Sequence, residues 1–264
     1  MKVKKNSAIV VGILNQKGGV GKTSTAVNLA TALAIVNKKV LLVDLDPQGN
    51  ASMGFGLKVQ KGDQNVYHVI LRLVDIKSVL VPCFIANLDI LCSASDLAGA
   101  EIELVPLENR ESQLAYALKK VTTLYDYIII DCPPSLGLLS LNALIASTCV
   151  IIPVQCEFFA LDGLSRLLNT IKKTQKVFNS KVYVAGILLT MYDGRNLLNQ
   201  QVEKEVRSML GEDVFLSVIP RNVKISEASS HGKPAIIYDR RAPGAKAYIE
   251  FAREFLIKQG ETLV

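Results

Sequence analysis

The sequence predicts an α/β fold: a doubly wound, mostly parallel sheet flanked by helices, in a single domain spanning residues 1–264. Three observations predict it. Short β-branched runs alternate with longer segments of helical period. The runs are apolar almost throughout, as strands covered by helices on both faces must be. A glycine-rich loop joins the first run to the first helical segment.

In chain order, strands are expected at Ala8–Leu14, Lys39–Asp44, Leu88–Cys92, Tyr127–Asp131, Thr148–Pro153, Val182–Thr190 and Val214–Ile219. Helices are expected at Thr23–Val36, Glu108–Thr122, Leu161–Val177, Leu197–Leu210 and Gly244–Lys258. Gly and Pro punctuate the joins at Pro133–Pro134, Gly194, Pro220 and Pro243. No internal repeat or composition break marks a second domain, and Met1 to Ser7 read as a flexible basic leader.

Composition narrows the function classes. With 50% hydrophobic and 20% charged residues, 264 residues suffice for a large core without covalent staples. The five cysteines, at 83, 92, 132, 149 and 156, are odd in number and lack C-x-x-C spacing, so buried reduced thiols in a cytoplasmic setting are expected. No apolar run reaches the roughly 18 residues of a membrane-spanning helix, and no cleavable signal is recognisable. The net charge of +6 permits an anionic partner without identifying one.

The loop Lys17-Gly18-Gly19-Val20-Gly21-Lys22-Thr23-Ser24 carries the first chemistry. Glycines let consecutive N–H groups turn toward phosphate oxygens, and the following helix adds its N-terminal dipole. Lys22 is placed to neutralise β/γ-phosphate charge, and Thr23 to offer its hydroxyl to Mg²⁺. ATP and Mg²⁺ are therefore the expected cofactors. Two acidic strand ends join the loop. Asp44-Leu45-Asp46-Pro47 closes the second strand, with only one of its acids required to face the phosphates and the pair expected on opposite sides. The run Tyr127-Ile128-Ile129-Ile130 ends in Asp131, the pattern of an acid that holds Mg²⁺ through water.

The usual G-x-x-x-x-G-K-[ST] spacing fails at Gln16, and a lysine follows it. Lys-Gly-Gly-Val-Gly-Lys-Thr resembles the deviant loop of the ParA, MinD and nitrogenase iron-protein class. Thr190-Met191-Tyr192-Asp193-Gly194-Arg195 and Ile219-Pro220-Arg221-Asn222-Val223-Lys224-Ile225-Ser226-Glu227-Ala228 extend the likeness to the chromosomal ParA (Soj) proteins, from Ala8 to about Lys258.

That resemblance implies an ATP-dependent homodimer in which Lys17 reaches the partner's nucleotide as an electrophilic clamp. It further implies that Asp46 positions or polarises the attacking water, that Asp44 supports the magnesium shell, and that Pro220 and Asn222 border adenine. Arg195, Arg221 and Lys224 become candidate contacts for non-specific DNA, which Lys233, Arg240 and Arg241 could extend. Slow hydrolysis would be stimulated by a ParB-type partner, and the protein would sit on the nucleoid. The first strand begins at Ala8, so an operator-binding N-terminal extension is not expected.

Three rivals share the loop. A MinD-like membrane switch would use Tyr248, Phe251, Ala252 and Phe255 as an apolar stripe, but Glu250, Arg253, Glu254 and Lys258 give a mixed polar face that suits packing on the domain. An iron protein would need a Cys-Gly-Gly segment where Pro133-Pro134 stand, and a tyrosine kinase of this class a terminal tyrosine cluster. A non-enzymatic nucleotide-gated scaffold is opposed by Asp46.

Overall fold

The structure, a computed structural model, describes residues 7–60, 62–157 and 160–261. Of the expected leader it describes Ser7 alone, and residues 262–264 of the C-terminal segment also lie outside the described residues. The strands are β1 (Ile9–Ile13), β2 (Val40–Asp44), β3 (Leu80–Pro82), β4 (Leu88–Leu91), β5 (Tyr127–Asp131), β6 (Cys149–Gln155), β7 (Tyr183–Tyr192) and β8 (Val214–Pro220). They form one sheet in the order β3-β4-β2-β5-β1-β6-β7-β8, parallel except for the β3 edge. All seven expected strands are present to within a few residues.

The helices are α1 (Lys22–Ile35), α2 (Asn50–Met53), α3 (Val66–Ile70), α4 (Leu97–Glu103), α5 (Gln113–Lys119), α6 (Leu138–Ala146), α7 (Ala160–Val177), α8 (Leu197–Leu210), α9 (Val223–Ser230), α10 (Ala235–Tyr238) and α11 (Pro243–Lys258). The helix expected over Glu108–Thr122 is shorter: Asn109 takes a left-handed backbone, φ 52, and a 3-10 turn at Arg110–Ser112 precedes α5.

Strand alternation sends successive side chains to opposite faces. Val10, Leu41, Val43, Ile128 and Ile130 pack under α3 to α8. Ile9, Val11, Ile13, Leu42 and Ile129 pack under α1 and α11. The stripe Tyr248, Phe251, Ala252 and Phe255 is buried in this second core, so α11 packs this face on the domain. No described helix is long and apolar enough to cross a membrane.

Register sets up the site. Asp131 pairs with Asp44 across β5 and β2, and with Ile13 across β5 and β1. Both acids therefore finish level with the start of the loop, at the carboxyl edge where ligands bind in open α/β sheets.

Candidate nucleotide site

Between β1 and α1 the chain turns back on itself through Gly19 and Gly21, whose φ of 75 and 85 lie where side chains are strained. Gly21 starts α1 without a side-chain cap, and Thr25 is the residue that bonds back to Gly21 O, at 2.9 Å. The N–H groups of Lys22, Thr23 and Ser24 begin the helix with no intrahelical acceptor, which is the anion cradle the sequence implied. Side-chain bonds to neighbouring strands brace the loop. Asn15 Nδ2 donates to Pro153 O at 2.7 Å, and Thr190 Oγ1 donates to Val20 O at 2.8 Å.

Lys22 is buried, and its Nζ donates to Lys17 O at 3.1 Å across the loop. Burial lowers its pKa, while Asp131, Cys132 and Asp46 favour the charged form. Lys17 behaves differently: its exposed Nζ turns outward to pair with Glu157 at the end of β6. The two lysines of the motif thus divide their work, one filling the loop and one leaving it.

Asp131 is fully buried, and neither carboxylate oxygen meets a donor in good hydrogen-bond geometry among the described residues, though the Thr23 hydroxyl is near enough to favour its charged form. Burial, with the neighbouring Asp44 charge, raises its pKa well above the ordinary carboxylate value. A buried orphan carboxylate is costly, and a hard divalent cation relieves that cost. Asp131, with Thr23 beside it, fits Mg²⁺.

Asp44 differs from expectation in the side it faces. It does not turn away from Asp46, because residues two apart on a strand share a face, and both acids sit close enough to Asp131 to raise its pKa. Its carboxylate, expected to support the magnesium shell, also takes donors from the protein. Its Oδ2 accepts from Ser52 N at 2.8 Å and Ser52 Oγ at 2.7 Å, and its Oδ1 from Asp46 N at 3.3 Å. Burial pushes its pKa up to about 6 despite these donors. Asp46 commits one oxygen to Gln48 N, at 2.9 Å.

Past β7 and β8 lies a cleft of about 330 Å³. Pro220, Asn222, Gly21, Ser24 and Tyr248 line it, so the two expected base contacts meet the loop there. Asn222 spends its carbonyl oxygen capping α9 through Lys224 N at 3.2 Å, leaving its amide N–H₂ to recognise a ligand. Arg221 lines the same cleft. The other two candidate DNA contacts carry acidic partners: exposed Arg195 grips Asp193 through Nε and Nη2, at 3.0 and 2.9 Å, and Lys224 pairs with Glu227 at 2.7 Å. Thr190 as a loop brace, Glu157, Ser52, and Tyr248 as a wall of the cleft escaped sequence reasoning. Each acts on a residue distant in sequence, and none sits at motif spacing.

Comparison with known proteins agrees with this geometry. A family profile described as an AAA domain matches residues 8–184. The chain is similar to the sporulation initiation inhibitor protein Soj of Bacillus subtilis, with 52% identity over 93% of this chain and 97% of that one. It is also similar to the chromosome partitioning protein ParA of Caulobacter vibrioides, with 44% identity over 96% of each chain. Among solved structures, the cobyrinic acid a,c-diamide synthase of Mycobacterium smegmatis, with bound ADP and magnesium, is similar at TM-score 0.83 and 36% identity. The match covers 97% of this chain and 99% of that one.

Proposed function

The chain belongs to the Soj/ParA family of chromosome-partitioning ATPases, a family of ATP- and Mg²⁺-dependent P-loop enzymes, and from that premise we propose that it is a DNA switch driven by nucleotide. ATP joins two copies, the dimer holds DNA non-specifically, and hydrolysis, stimulated by a ParB-type partner, releases it. The observation that carries this reading is the outward Lys17 ammonium, which pairs with Glu157 and not with any group of its own loop. In the dimer, Lys17 of the partner subunit reaches across to the phosphates, where it meets charge developing on the transferred group. Lys22 and the backbone of residues 18–24 hold the phosphates, Pro220 and Asn222 border the base, and Asp46 positions the attacking water. Thr23 and Asp131 would hold Mg²⁺, which supplies charge neutralisation at the phosphates.

Doubling the chain doubles the basic surface around Arg195, Arg221 and Lys224, and affinity for DNA depends steeply on the number of phosphates neutralised. Dimerisation is thereby enough to turn weak binding into retention on the nucleoid. DNA retention measured across a salt series tests the switch: strong retention is expected with ATP and little with ADP or without nucleotide. Equal retention in all three states removes it. A MinD-like switch on a membrane is the alternative, and the burial of the α11 stripe speaks against it. ATP-dependent flotation with anionic liposomes would reverse that preference.

A further inference from the structure

Asp46 lies just beyond the end of β2, where no ladder partner holds its backbone. Backbone groups buried there need other partners, and the structure supplies one for the N–H and two for the carbonyl. Asp46 N–H donates to Asp44 Oδ1 at 3.3 Å, and Asp46 C=O accepts from Ser93 Oγ at 2.8 Å and from Gly49 N at 2.9 Å in the turn that follows. Ser52 closes the ring: its Oγ donates to Asp44 Oδ2 at 2.7 Å and accepts from Ser93 N at 3.1 Å. Ser52 and Ser93 are 1% and 3% exposed, so water does not compete for these bonds.

The loop is shaped for this approach. Gly49 takes a left-handed backbone, φ 64, and a Cβ there would come within 3.1 Å of Ser93 O. Three segments distant in sequence, residues 44–46, Ser52 in α2 and Ser93 after β4, are thus drawn onto the peptide groups that flank one carboxylate.

We propose that Ser52 and Ser93 are positioning residues of the ATPase reaction, clamping the backbone of Asp46 so that its carboxylate is aimed at the attacking water. The inference rests on the hydrolytic role of Asp46 given above. Neither hydroxyl is spent on a ligand: Ser52 acts through Asp44, and Ser93 through the Asp46 carbonyl. A carboxylate displaced by a fraction of an ångström loses the alignment on which rate depends, while nucleotide affinity, made elsewhere in the loop, is untouched.

The test measures turnover, KM, ATP affinity, thermal midpoint and ATP-dependent dimer in full-length Ser52→Ala, Ser93→Ala and Ser52→Thr, with Asp46→Ala as reference. Ser93→Ala and Ser52→Ala are expected to lower kcat by roughly tenfold or more, with ATP affinity unchanged and the ATP dimer accumulating. Ser52→Thr, which keeps the hydroxyl, restores turnover. Adding Ser93→Ala to Asp46→Ala changes nothing further. If Ser52→Ala fails to fold, Ser93→Ala decides alone, because it removes only the side-chain bond to the Asp46 carbonyl and leaves the Gly49 N–H in place. Wild-type turnover in Ser93→Ala beside a dead Asp46→Ala overturns this inference only. Wild-type turnover in Asp46→Ala overturns the role of Asp46 and this inference with it. Loss of ATP affinity in step with kcat would reduce both serines to structural supports.

Discussion

Three carboxylates and one ammonium crowd the end of β2 and β5, and their balance makes this site a cost to the empty protein. Asp44 and Asp131 have pKa values raised in the fold, chiefly by burial. An acid raised on folding binds protons more tightly folded than unfolded, so stability declines as pH climbs from its unfolded value. For Asp44 that window runs from 3.8 to about 6, and the full cost stands above it. The nucleotide-free protein should therefore lose thermal midpoint across this window, and the gain on adding Mg²⁺ with ATP should widen. A gain independent of pH contradicts this electrostatic account. Lys22→Ala should abolish ATP binding in a titration calorimeter, since it leaves the acids without their nearest cation, while Lys17→Ala leaves binding intact. Lys22 and Asp131 were legible in the sequence because their motifs are local. The bonds of Asp44 were not, because Ser52 reaches it through α2, eight residues along the chain.

At the scale of elements, strands read more reliably than short helices. Seven strands stood out as apolar runs, but β3 has only three residues and two of them are exposed, so no pattern could announce it. Helix α6 is apolar around most of its circumference and too short to separate from a strand by period. It starts where Glu101 of α4 accepts from Leu138 N at 2.8 Å and Leu139 N at 3.2 Å, a cap that sequence spacing cannot reveal. The exposed edge at β8 is sealed in a comparable way. Glu254 of α11 accepts from Leu216 N at 2.7 Å and Ser217 N at 2.9 Å, and Arg207 Nη1 of α8 donates to Phe215 O at 3.0 Å. An open strand edge invites pairing with another chain, and Leu216, 82% exposed, adds an apolar side chain to it. Glu254→Ala should lower stability by about 1–3 kcal/mol in denaturant unfolding and raise nucleotide-independent self-association in light scattering. A monodisperse variant of unchanged stability shows that the edge is protected by other means.

Over the whole molecule, the sheet places the phosphate loop, the acids and the base cleft along one edge, with the basic loops after β7 and β8 beside them. In the proposed switch, that shared edge is what would link nucleotide state to DNA contact. Asp193, its pKa held down to about 2 mainly by hydrogen bonds from Arg195, would on the proposed reading compete with DNA phosphate for that arginine. Asp193→Asn should tighten DNA retention by the ATP-bound protein and steepen its salt dependence; an unchanged salt slope removes Arg195 from the interface.

The central claim is that Lys17 serves a neighbouring copy, and sedimentation velocity with saturating Mg²⁺ and ATP tests it most directly. Wild-type protein should shift to dimer while ATP lasts, Asp46→Ala should remain dimeric, and Lys17→Ala should bind ATP with wild-type affinity yet sediment as a monomer. A Lys17→Ala protein that dimerises with ATP as the wild type does contradicts the account.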